Sequence, residues 1–305
     1  MDNLCHTLTG AALAEAGLKH RTRFASAALM IAANLPDVDV LAFATGTPPV
    51  ALRRGWTHGV LAQALLPVVL TAAFVAVDRW RPPRPGSAPL RTSALLLLGY
   101  IGVLSHVAMD WLNNYGVRLL MPFSRRWFYG DSVFIADPWL WLTLAAGVLL
   151  ARRAGRTQVA AIAVVLATAY IGAMVISARA ARAYVMESWT ARSGSPPVTL
   201  MVGPVPITPF RKTVILDAGD VYHRGTFTWF PRRFEIARDV VPKHDRDPAV
   251  LQAQQDPRFR AILVWARFPY YELTRDPDGI RVTIADLRFG PRLFNATTVV
   301  RQDGQ

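Results

Sequence analysis

The sequence predicts a mainly α-helical, integral membrane bundle of about four spanning helices plus an N-terminal helical pair, followed by a small C-terminal β domain. Apolar residues make up 52% of the 305 residues, charged residues make up 18%, and the mean hydropathy is +0.24. These values are high for a soluble protein. After residue 192 the composition changes to short segments rich in β-branched and aromatic residues. We therefore predict a helical membrane domain over residues 1–192 and a β-rich extramembrane domain over residues 198–305.

The N-terminal pair is predicted from two weaker apolar stretches. Residues 3–18 form the first helix, which is closed by a basic turn at 19–23, and residues 24–35 form the second. Pro36 ends the second helix because proline has no backbone N–H to continue it. Glu15 adds a charge to the first helix, so the sequence leaves open whether this pair spans the membrane or packs half-buried against the other helices.

Four longer apolar runs follow a loop at 44–50 that is rich in Gly, Pro and Thr. They are residues 60–77, 92–109, 138–151 and 158–177. As a helix the first run is about 27 Å long, close to the hydrocarbon thickness of a bilayer, and 138–151 is the shortest. The linker at 78–85 is basic and too rich in proline to be helical, and residues 110–137 form a long polar and aromatic loop.

The formal net charge of +13 comes mostly from arginines in short turns between apolar runs. This placement indicates membrane topology, and no nucleic-acid partner is expected. If the chain alternates across the membrane, the turns at 19–23, 78–91 and 152–156 share one face, which the positive-inside rule makes cytoplasmic. Their basic residues are Lys19, Arg21, Arg23, Arg79, Arg81, Arg84, Arg91, Arg152, Arg153 and Arg156. The candidate site and the C-terminal domain then lie on the periplasmic side.

Short strands are predicted in the C-terminal part, where Val, Ile, Thr, Tyr, Phe and Trp are frequent. Several of these segments end at turn residues, as at Asp276-Pro277-Asp278-Gly279. The predicted strands are 198–203, 212–217, 220–230, 260–273, 280–288 and 296–301.

Three histidines and three aspartates are candidate metal ligands: His6, Asp37, Asp39, His58, His106 and Asp110. His106 and Asp110 are four residues apart, so on a helix their side chains lie on one face about one turn apart. A carboxylate at the edge of a membrane-length helix is costly unless a cation compensates it. The predicted topology brings all six residues to the same membrane face. Imidazole with carboxylate suits Zn²⁺, and also Mn²⁺ or Fe²⁺, so we predict one or two divalent ions.

Each candidate also has a purely structural interpretation. Asp37 could cap a helix stop, and Trp56 could anchor the chain at the membrane interface. His106 and Asp110 could form a simple buried hydrogen-bonded pair. If all of these structural interpretations were correct, the placement of the candidate residues on one membrane face would be a coincidence. We therefore favour the metal site. Cys5 is the only cysteine, which excludes an intrachain disulfide, and it is predicted to be a small buried residue rather than a ligand.

Several motifs, in order along roughly residues 1–180, resemble a bacterial inner-membrane metal-dependent hydrolase family (domain of unknown function 457). They are Asp2-Asn3-Leu4-Cys5-His6, Asn34-Leu35-Pro36-Asp37-Val38-Asp39, Arg54-Gly55-Trp56-Thr57-His58, His106-Val107-Ala108-Met109-Asp110, Tyr115-Gly116, Pro122-Phe123-Ser124 and the stretch from Asp131 to Pro138. The family is distantly similar to zinc-dependent phospholipases C and to zinc single-strand-specific nucleases, which are all-helical.

This resemblance implies a ligand set. His58, His106, Asp110 and one of Asp37 or Asp39 would hold one metal ion. His6 and Asp110 would hold a second, and the remaining aspartate would orient the attacking water, which makes Asp37 and Asp39 the candidate catalytic residues. The relatives complete a third metal site with a further histidine pair and a glutamate, whereas no second histidine motif follows Asp110 in this chain.

The sequence thus predicts a membrane-bound, metal-dependent phosphoester hydrolase whose substrate is a lipid or a lipid-linked phosphate. Arg54 is predicted to contact the substrate phosphate, because guanidinium binds phosphate in a bidentate manner. Asn113, Asn114 and Asp131 are predicted to orient the ligands. The alternative is a non-catalytic membrane protein with a structural metal and a partner-binding β domain. A transporter ranks last, because broken helices with polar groups at mid-membrane are not clear in the apolar runs.

Overall fold

The structure is a computed structural model that describes residues 1–44, 49–81, 86, 88–291 and 293–301. Residues 45–48 and 82–85, in the two predicted loops, lie outside the described residues. About half of the chain is helical. The helices of the first part are α1 (Asn3–Glu15), α2 (Ala25–Ala32), α3 (Val60–Trp80), α4 (Thr92–Trp111), α5 (Pro138–Ala154) and α6 (Thr157–Ser193), and a 3-10 helix, Leu35–Ala44, follows α2.

Among the described residues, α3, α4 and α6 are long and apolar enough to cross a membrane. Helix α2 and the 3-10 helix after it meet at a bend of 48° and together would make a fourth candidate span. The predicted span at 138–151 forms α5, which is not among the candidates. Its last turn carries Arg152 and Arg153, so its uncharged part, residues 138–151, extends only about 21 Å, which is less than the hydrocarbon thickness of about 30 Å.

Helix α2 packs against both α1 and α4, and glycines allow these close approaches. A Cβ atom added at Gly10 of α1 would lie 2.8 Å from the carbonyl oxygen of Leu29, and one at Gly102 of α4 would lie 2.5 Å from Cβ of Ala32. Small residues at such contacts are typical of helices that pack within membranes. The arrangement brings the end of α2 next to the last two turns of α4.

Contacts between residues divide the chain into two units. The first comprises residues 1–39, 54–177 and 204–208, and the second comprises residues 40–53, 178–203 and 209–305. The predicted domain ranges, 1–192 and 198–305, stay a prediction.

The second unit contains two sheets. One has four strands in the order β1 (Thr199–Pro204), β2 (Arg211–Asp217), β3 (Val221–Trp229), β4 (Arg232–Pro242), and the other has three in the order β5 (Pro269–Asp276), β6 (Gly279–Asp286), β7 (Ala296–Val300). Two short helices, α7 (Pro248–Ala253) and α8 (Pro257–Leu263), lie between the sheets in the chain. Each starts with an Asp cap followed by proline at its first position.

The structure differs from the predicted strands in two places. The first part of the predicted strand 260–273 is helix α8, because Asp256 and Pro257 begin a helix there, and the strand starts only at Pro269. Strand β4 was not predicted at all. Phe234 and Ile236 pack against the sheet core, but most of the other residues are exposed, so the alternation of apolar and polar residues that marks a half-buried strand is short.

The four-stranded sheet packs one face on the end of α6. Val214, Leu216 and Phe227 form a core there with Ala181 and Val185. Lys212 lies two residues before Val214 on the same strand and is 0% exposed, and its ammonium group has no hydrogen-bond partner among the described residues. An unpaired buried ammonium group is costly, which makes Lys212 an unusual part of this core.

Candidate metal centre

Four side chains converge in the first unit: Asp37, His58, His106 and Asp110. One ligand atom from each lies within 4.8 Å of all the others, and all four residues are buried. They come from the 3-10 helix after α2, the turn before α3, and the last two turns of α4. Residues 73 positions apart in the chain, from Asp37 to Asp110, therefore meet at one point.

The spacing of the atoms suits a transition-metal ion. Nε2 of His58 lies 3.1 Å from Nε2 of His106 and 3.2 Å from Oδ2 of Asp110, and His106 Nε2 lies 3.6 Å from the same oxygen. Asp37 Oδ1 is 4.0 Å from Nε2 of His58 and 3.9 Å from Nε2 of His106. Around a tetrahedral zinc ion with bonds of about 2.0–2.1 Å, neighbouring ligand atoms are roughly 3.3 Å apart. A small movement of Asp37 would bring its Oδ1 to this separation from both histidine nitrogens.

The turn that carries His58 depends on two glycines. Backbone amides of His58 and Gly59 donate to the carbonyl oxygen of Gly55, at 3.1 and 2.9 Å. A Cβ atom at Gly55 would meet the guanidinium of Arg118 at 2.4 Å, and one at Gly59 would meet the carbonyl oxygen of Met121 at 2.4 Å. The turn is thus pressed against the 118–121 loop, which fixes His58 before α3 begins.

Hydrogen bonds on the far side of each ring leave Nε2 free for an ion. The Nδ1–H group of His106 donates to the carbonyl oxygen of Ala33 at 2.7 Å, and Nδ1 of His58 is 3.0 Å from the hydroxyl of Thr57. Outer contacts of this kind fix the tautomer of metal-binding histidines. Burial lowers the pKa of His58, so its ring is neutral and keeps a lone pair at neutral pH.

Asp39 lies outside the group of four. Its Oδ2 accepts hydrogen bonds from the backbone N–H of Arg54 at 2.7 Å and from the Thr57 hydroxyl at 3.3 Å, and it lies 3.6 Å from His58 Nδ1. In this position Asp39 orients the His58 ring from its Nδ1 side, away from the group of four. Its predicted roles as ligand and catalytic residue stay predictions.

The other oxygen of Asp110 faces cationic groups. The Met1 amino group contacts Oδ1. Arg54 Nη2 donates to the same oxygen at 3.0 Å, and its Nε lies 2.8 Å from Oδ2. Nη1 of Arg54 donates to Oδ1 of Asn113 at 2.9 Å, and its guanidinium lies 4.7 Å from the centre of the Tyr115 ring. Arg54 is therefore a buried partner of Asp110 in this structure, and its predicted contact with substrate phosphate stays a prediction.

His6 lies beside the group. Its ring stacks on His106 with the ring centres 3.8 Å apart, and its Nε2 is 3.3 Å from Asp110 Oδ1. Among the described residues neither ring nitrogen has a hydrogen-bond partner, although His6 is 0% exposed. Burial lowers its pKa to about 3, so the ring is neutral. Buried imidazole nitrogens without partners, next to buried carboxylates, fit a transition-metal ion.

Asn3 is a residue of the site that the sequence reasoning missed. Its Nδ2 group donates to Asp37 Oδ2 at 3.1 Å and lies 3.4 Å from Oδ1 of Asn34. The Nδ2 group of Asn34 donates in turn to the Thr7 hydroxyl at 3.0 Å. This chain of amides holds Asp37 with Oδ1 toward the histidines. The spacing of Asn3 and His6, three residues apart on one helix face, could have indicated it.

The other predicted residues have different positions. Asn114 is buried, and Asp131 is partly buried with φ of 50°; neither belongs to the group of four. Asp137 caps α5 by accepting from the backbone amides of Trp139 and Leu140 at 3.0 and 3.1 Å. Cys5 is buried in the helical core as predicted, and burial raises the pKa of its thiol to about 12.

A groove of about 500 Å³ leads along α1 and α2 to Asp37. We call it the α1–α2 groove. Its polar end is formed by Asn3, Asn34 and Asp37, and Ile31 and Val38 on its apolar side are 45% and 44% exposed. The lining residues are Asn3, Thr7, Met30, Ile31, Asn34, Leu35, Asp37 and Val38. The groove thus joins an apolar surface to one of the four candidate ligands.

A family model described as YdjM inner membrane protein matches residues 1–181, which include every residue of the candidate centre. No curated protein and no solved structure matches the chain.

Proposed function

Because the chain belongs to the YdjM inner membrane protein family, we propose that it is a membrane-bound, metal-dependent hydrolase of phosphoesters. The observation that carries the proposal is the buried group of Asp37, His58, His106 and Asp110. Arg54 pairs with Asp110, but two buried carboxylates beside two imidazoles leave a negative charge that a divalent cation would compensate. Zn²⁺ suits this donor set, and Mn²⁺ or Fe²⁺ are alternatives.

A bound ion would supply Lewis acidity and a water that deprotonates at about pH 7. His58, His106 and Asp110 are the three closest donors and would hold the ion. Asp37 is the most distant donor and lies at the end of the α1–α2 groove. We assign Asp37 to accept the proton of the attacking water, and Asp39 to hold His58 in place. We also propose that Arg54 contacts the substrate phosphate.

The α1–α2 groove supports a lipid or lipid-linked phosphate as substrate. Its apolar side runs along α2 and the 3-10 helix, the bent pair that makes a candidate membrane span. An acyl or prenyl chain could lie against Met30, Ile31 and Val38 while its phosphate reaches Asp37. A soluble phosphoester has no long apolar chain that could contact these side chains.

We further propose that the metal group faces the periplasm, as does the β-rich part of the chain. Arg23 pairs with Asp78, and Arg152 pairs with Glu15 at 2.8 Å, which ties the three basic turns together at one end of the bundle. His106 and Asp110 lie 15 and 19 residues after Arg91, which is about 22–28 Å along the helix. The positive-inside rule makes the basic end cytoplasmic. A periplasm-specific reporter fused after residue 177 should be active, and a cytoplasmic result would contradict this topology.

The function is tested on protein purified in detergent. Bound metal is measured by mass spectrometry, and turnover is measured on a chromogenic phosphodiester, a phosphomonoester and a lipid extract, with and without chelator. His106→Ala should lose metal and turnover together. Cys5→Ala is the matched control, since Cys5 is also buried beside the site but outside the ligand group, and it should keep both. Loss of metal in Cys5→Ala would contradict the ligand set.

A second function is favoured by one observation. Structural zinc is normally closed by four protein ligands, and four protein groups converge here. In that case the metal is structural and the β-rich part binds a protein partner. Stoichiometric metal without turnover on any of the phosphoesters or lipids would favour this alternative over the hydrolase.

A further inference from the structure

Two phenylalanine rings project from the β-rich unit at the end of the β3–β4 hairpin. Phe230, in the turn between the strands, is 79% exposed, and Phe210, just before β2, is 55% exposed. Their ring centres are 5.5 Å apart, and the backbone N–H of Trp229 donates to the carbonyl oxygen of Phe210 at 3.0 Å. We call this pair the aromatic tip. Exposed apolar groups held together in this way mark an interaction surface.

The contacts of β3 with α6 give the direction in which the tip points. The Trp189 ring lies 5.0 Å from His223, and the Tyr184 ring lies 5.6 Å from Phe227. Moving along β3 toward the tip therefore means moving back along α6 toward its beginning.

The same contacts give the height of the tip along α6. Five helical residues rise about 7.5 Å, while four strand residues span about 13 Å. Phe230 is three residues beyond Phe227, about 10 Å further along the strand. At the same inclination it comes level with roughly residue 180 of α6.

Residue 180 is where the apolar stretch of α6 ends. The sequence has no charged side chain between Arg156 and Arg179, and α6 is a candidate membrane span. Charged residues at the end of such a stretch mark the level of the lipid headgroups. If α6 spans the bilayer, the aromatic tip therefore lies at the level of the bilayer surface.

The charges around the tip suit lipid phosphates. Arg211, Arg232 and Arg233 follow the two phenylalanines in the chain and are all exposed. Arg232 lies 4.4 Å from the Tyr184 ring on α6, and Arg233 has Glu235 as a neighbour at 3.3 Å. Aromatic rings with flanking arginines are typical of membrane-interface anchors. Two copies facing each other through this surface would bring like charges together.

We propose that the aromatic tip inserts into the headgroup layer of the bilayer from which α6 emerges, with the neighbouring arginines on anionic lipid phosphates. This anchor fixes the height of the four-stranded sheet above the membrane. It does not depend on metal binding or on hydrolysis.

The single cysteine makes the test direct. In a Cys5→Ala background, nitroxide spin labels are placed at Phe230→Cys, at Phe210→Cys and at the control site Asp220→Cys. Asp220 lies in the turn at the opposite end of β3, and its side chain is 83% exposed. The full chain is reconstituted in vesicles of phosphatidylglycerol and phosphatidylcholine, and label collisions with oxygen and with a water-soluble nickel complex are measured.

Labels at 230 and 210 should collide more with oxygen than with nickel, and the label at 220 should show the reverse. Nickel access at 230 equal to that at 220 would overturn the proposal. So would a label at 230 shielded from both reagents, since that indicates contact with protein. Spin–spin broadening at 230 that disappears on dilution with unlabelled protein would assign the surface to a second copy and also overturn it.

Discussion

Replacing Arg54 with methionine removes the guanidinium that compensates the buried carboxylate of Asp110. In the structure Nε of Arg54 is 2.8 Å from Oδ2 and Nη2 is 3.0 Å from Oδ1, and Asp110 is 0% exposed. Leaving a buried carboxylate without its cation costs about 3–5 kcal/mol, and the Met1 amino group, which still contacts Oδ1, would offset part of this cost. Without metal, Arg54→Met should therefore lower the free energy of unfolding by up to this amount.

A metal ion bound by Asp110 changes this result. The ion replaces part of the lost positive charge, so saturating zinc should stabilise the variant more than the wild type. If the difference is about 2 kcal/mol, linkage requires the variant to bind zinc about 30-fold more tightly. A variant that loses stability while gaining metal affinity is expected only if Arg54 and the ion compete for the same carboxylate.

The control is a second buried Arg–Asp pair outside the histidine group. Arg288 Nε lies 2.9 Å from Asp286 Oδ1, its Nη2 lies 3.0 Å from Oδ2, and both side chains are 0% exposed. Arg288→Met should lose similar stability but gain nothing from zinc. Thermal unfolding in detergent, with zinc and with chelator, is compared with calorimetric zinc binding. Equal zinc rescue in both variants, or weaker zinc binding by Arg54→Met than by wild type, would refute the reasoning.

Three further predictions concern His6, Asn3 and Lys212. His6→Ala should keep one metal ion per chain by mass spectrometry; a fall from two ions to one would show that His6 holds a second. Asn3→Ala removes the amide that holds Asp37 and should lower turnover about 10–100-fold, with bound metal and the far-ultraviolet spectrum unchanged. An unchanged turnover would contradict that role. Burial lowers the pKa of Lys212 from 10.5 to about 8, so the unfolded chain binds more protons and wild-type stability should rise between these pH values. Lys212→Met should therefore be more stable than wild type by up to about 3 kcal/mol at pH 7, and this advantage should vanish near pH 10.5. A difference that does not change with pH would refute the assignment.

Local periodicity and backbone chemistry predicted much of the helical part. The spacing of His106 and Asp110 placed both on one helix face, and Pro36 ended α2 near Asp37. Counting apolar runs and basic turns brought His58 to the same place. These features could be predicted because each depends on a few neighbouring residues or on the length of a helix.

Other features depend on contacts between distant parts of the chain. Nothing in the sequence shows that Arg54 forms an ion pair with Asp110, 56 residues away, or that Asn3 donates a hydrogen bond to Asp37. The edge strand β4 escaped prediction because its clear alternation of apolar and polar residues is confined to the short stretch around Phe234 and Ile236. The cap at Asp256 was overlooked because the aromatic residues after it suggested a strand.

The charges around Asp110 favour one bound ion over two. Asp37, Asp39 and Asp110 carry three negative charges, Arg54 and the Met1 amino group carry two positive charges, and burial keeps His6 and His58 neutral. One divalent ion leaves the group with a single positive charge, which complements a phosphate anion. A second ion beside Oδ1 of Asp110 would leave three positive charges in a buried space and would require Arg54 to move away. Arg54 thus occupies the place of a second cation, which is why its replacement by methionine is the sharpest test of the centre.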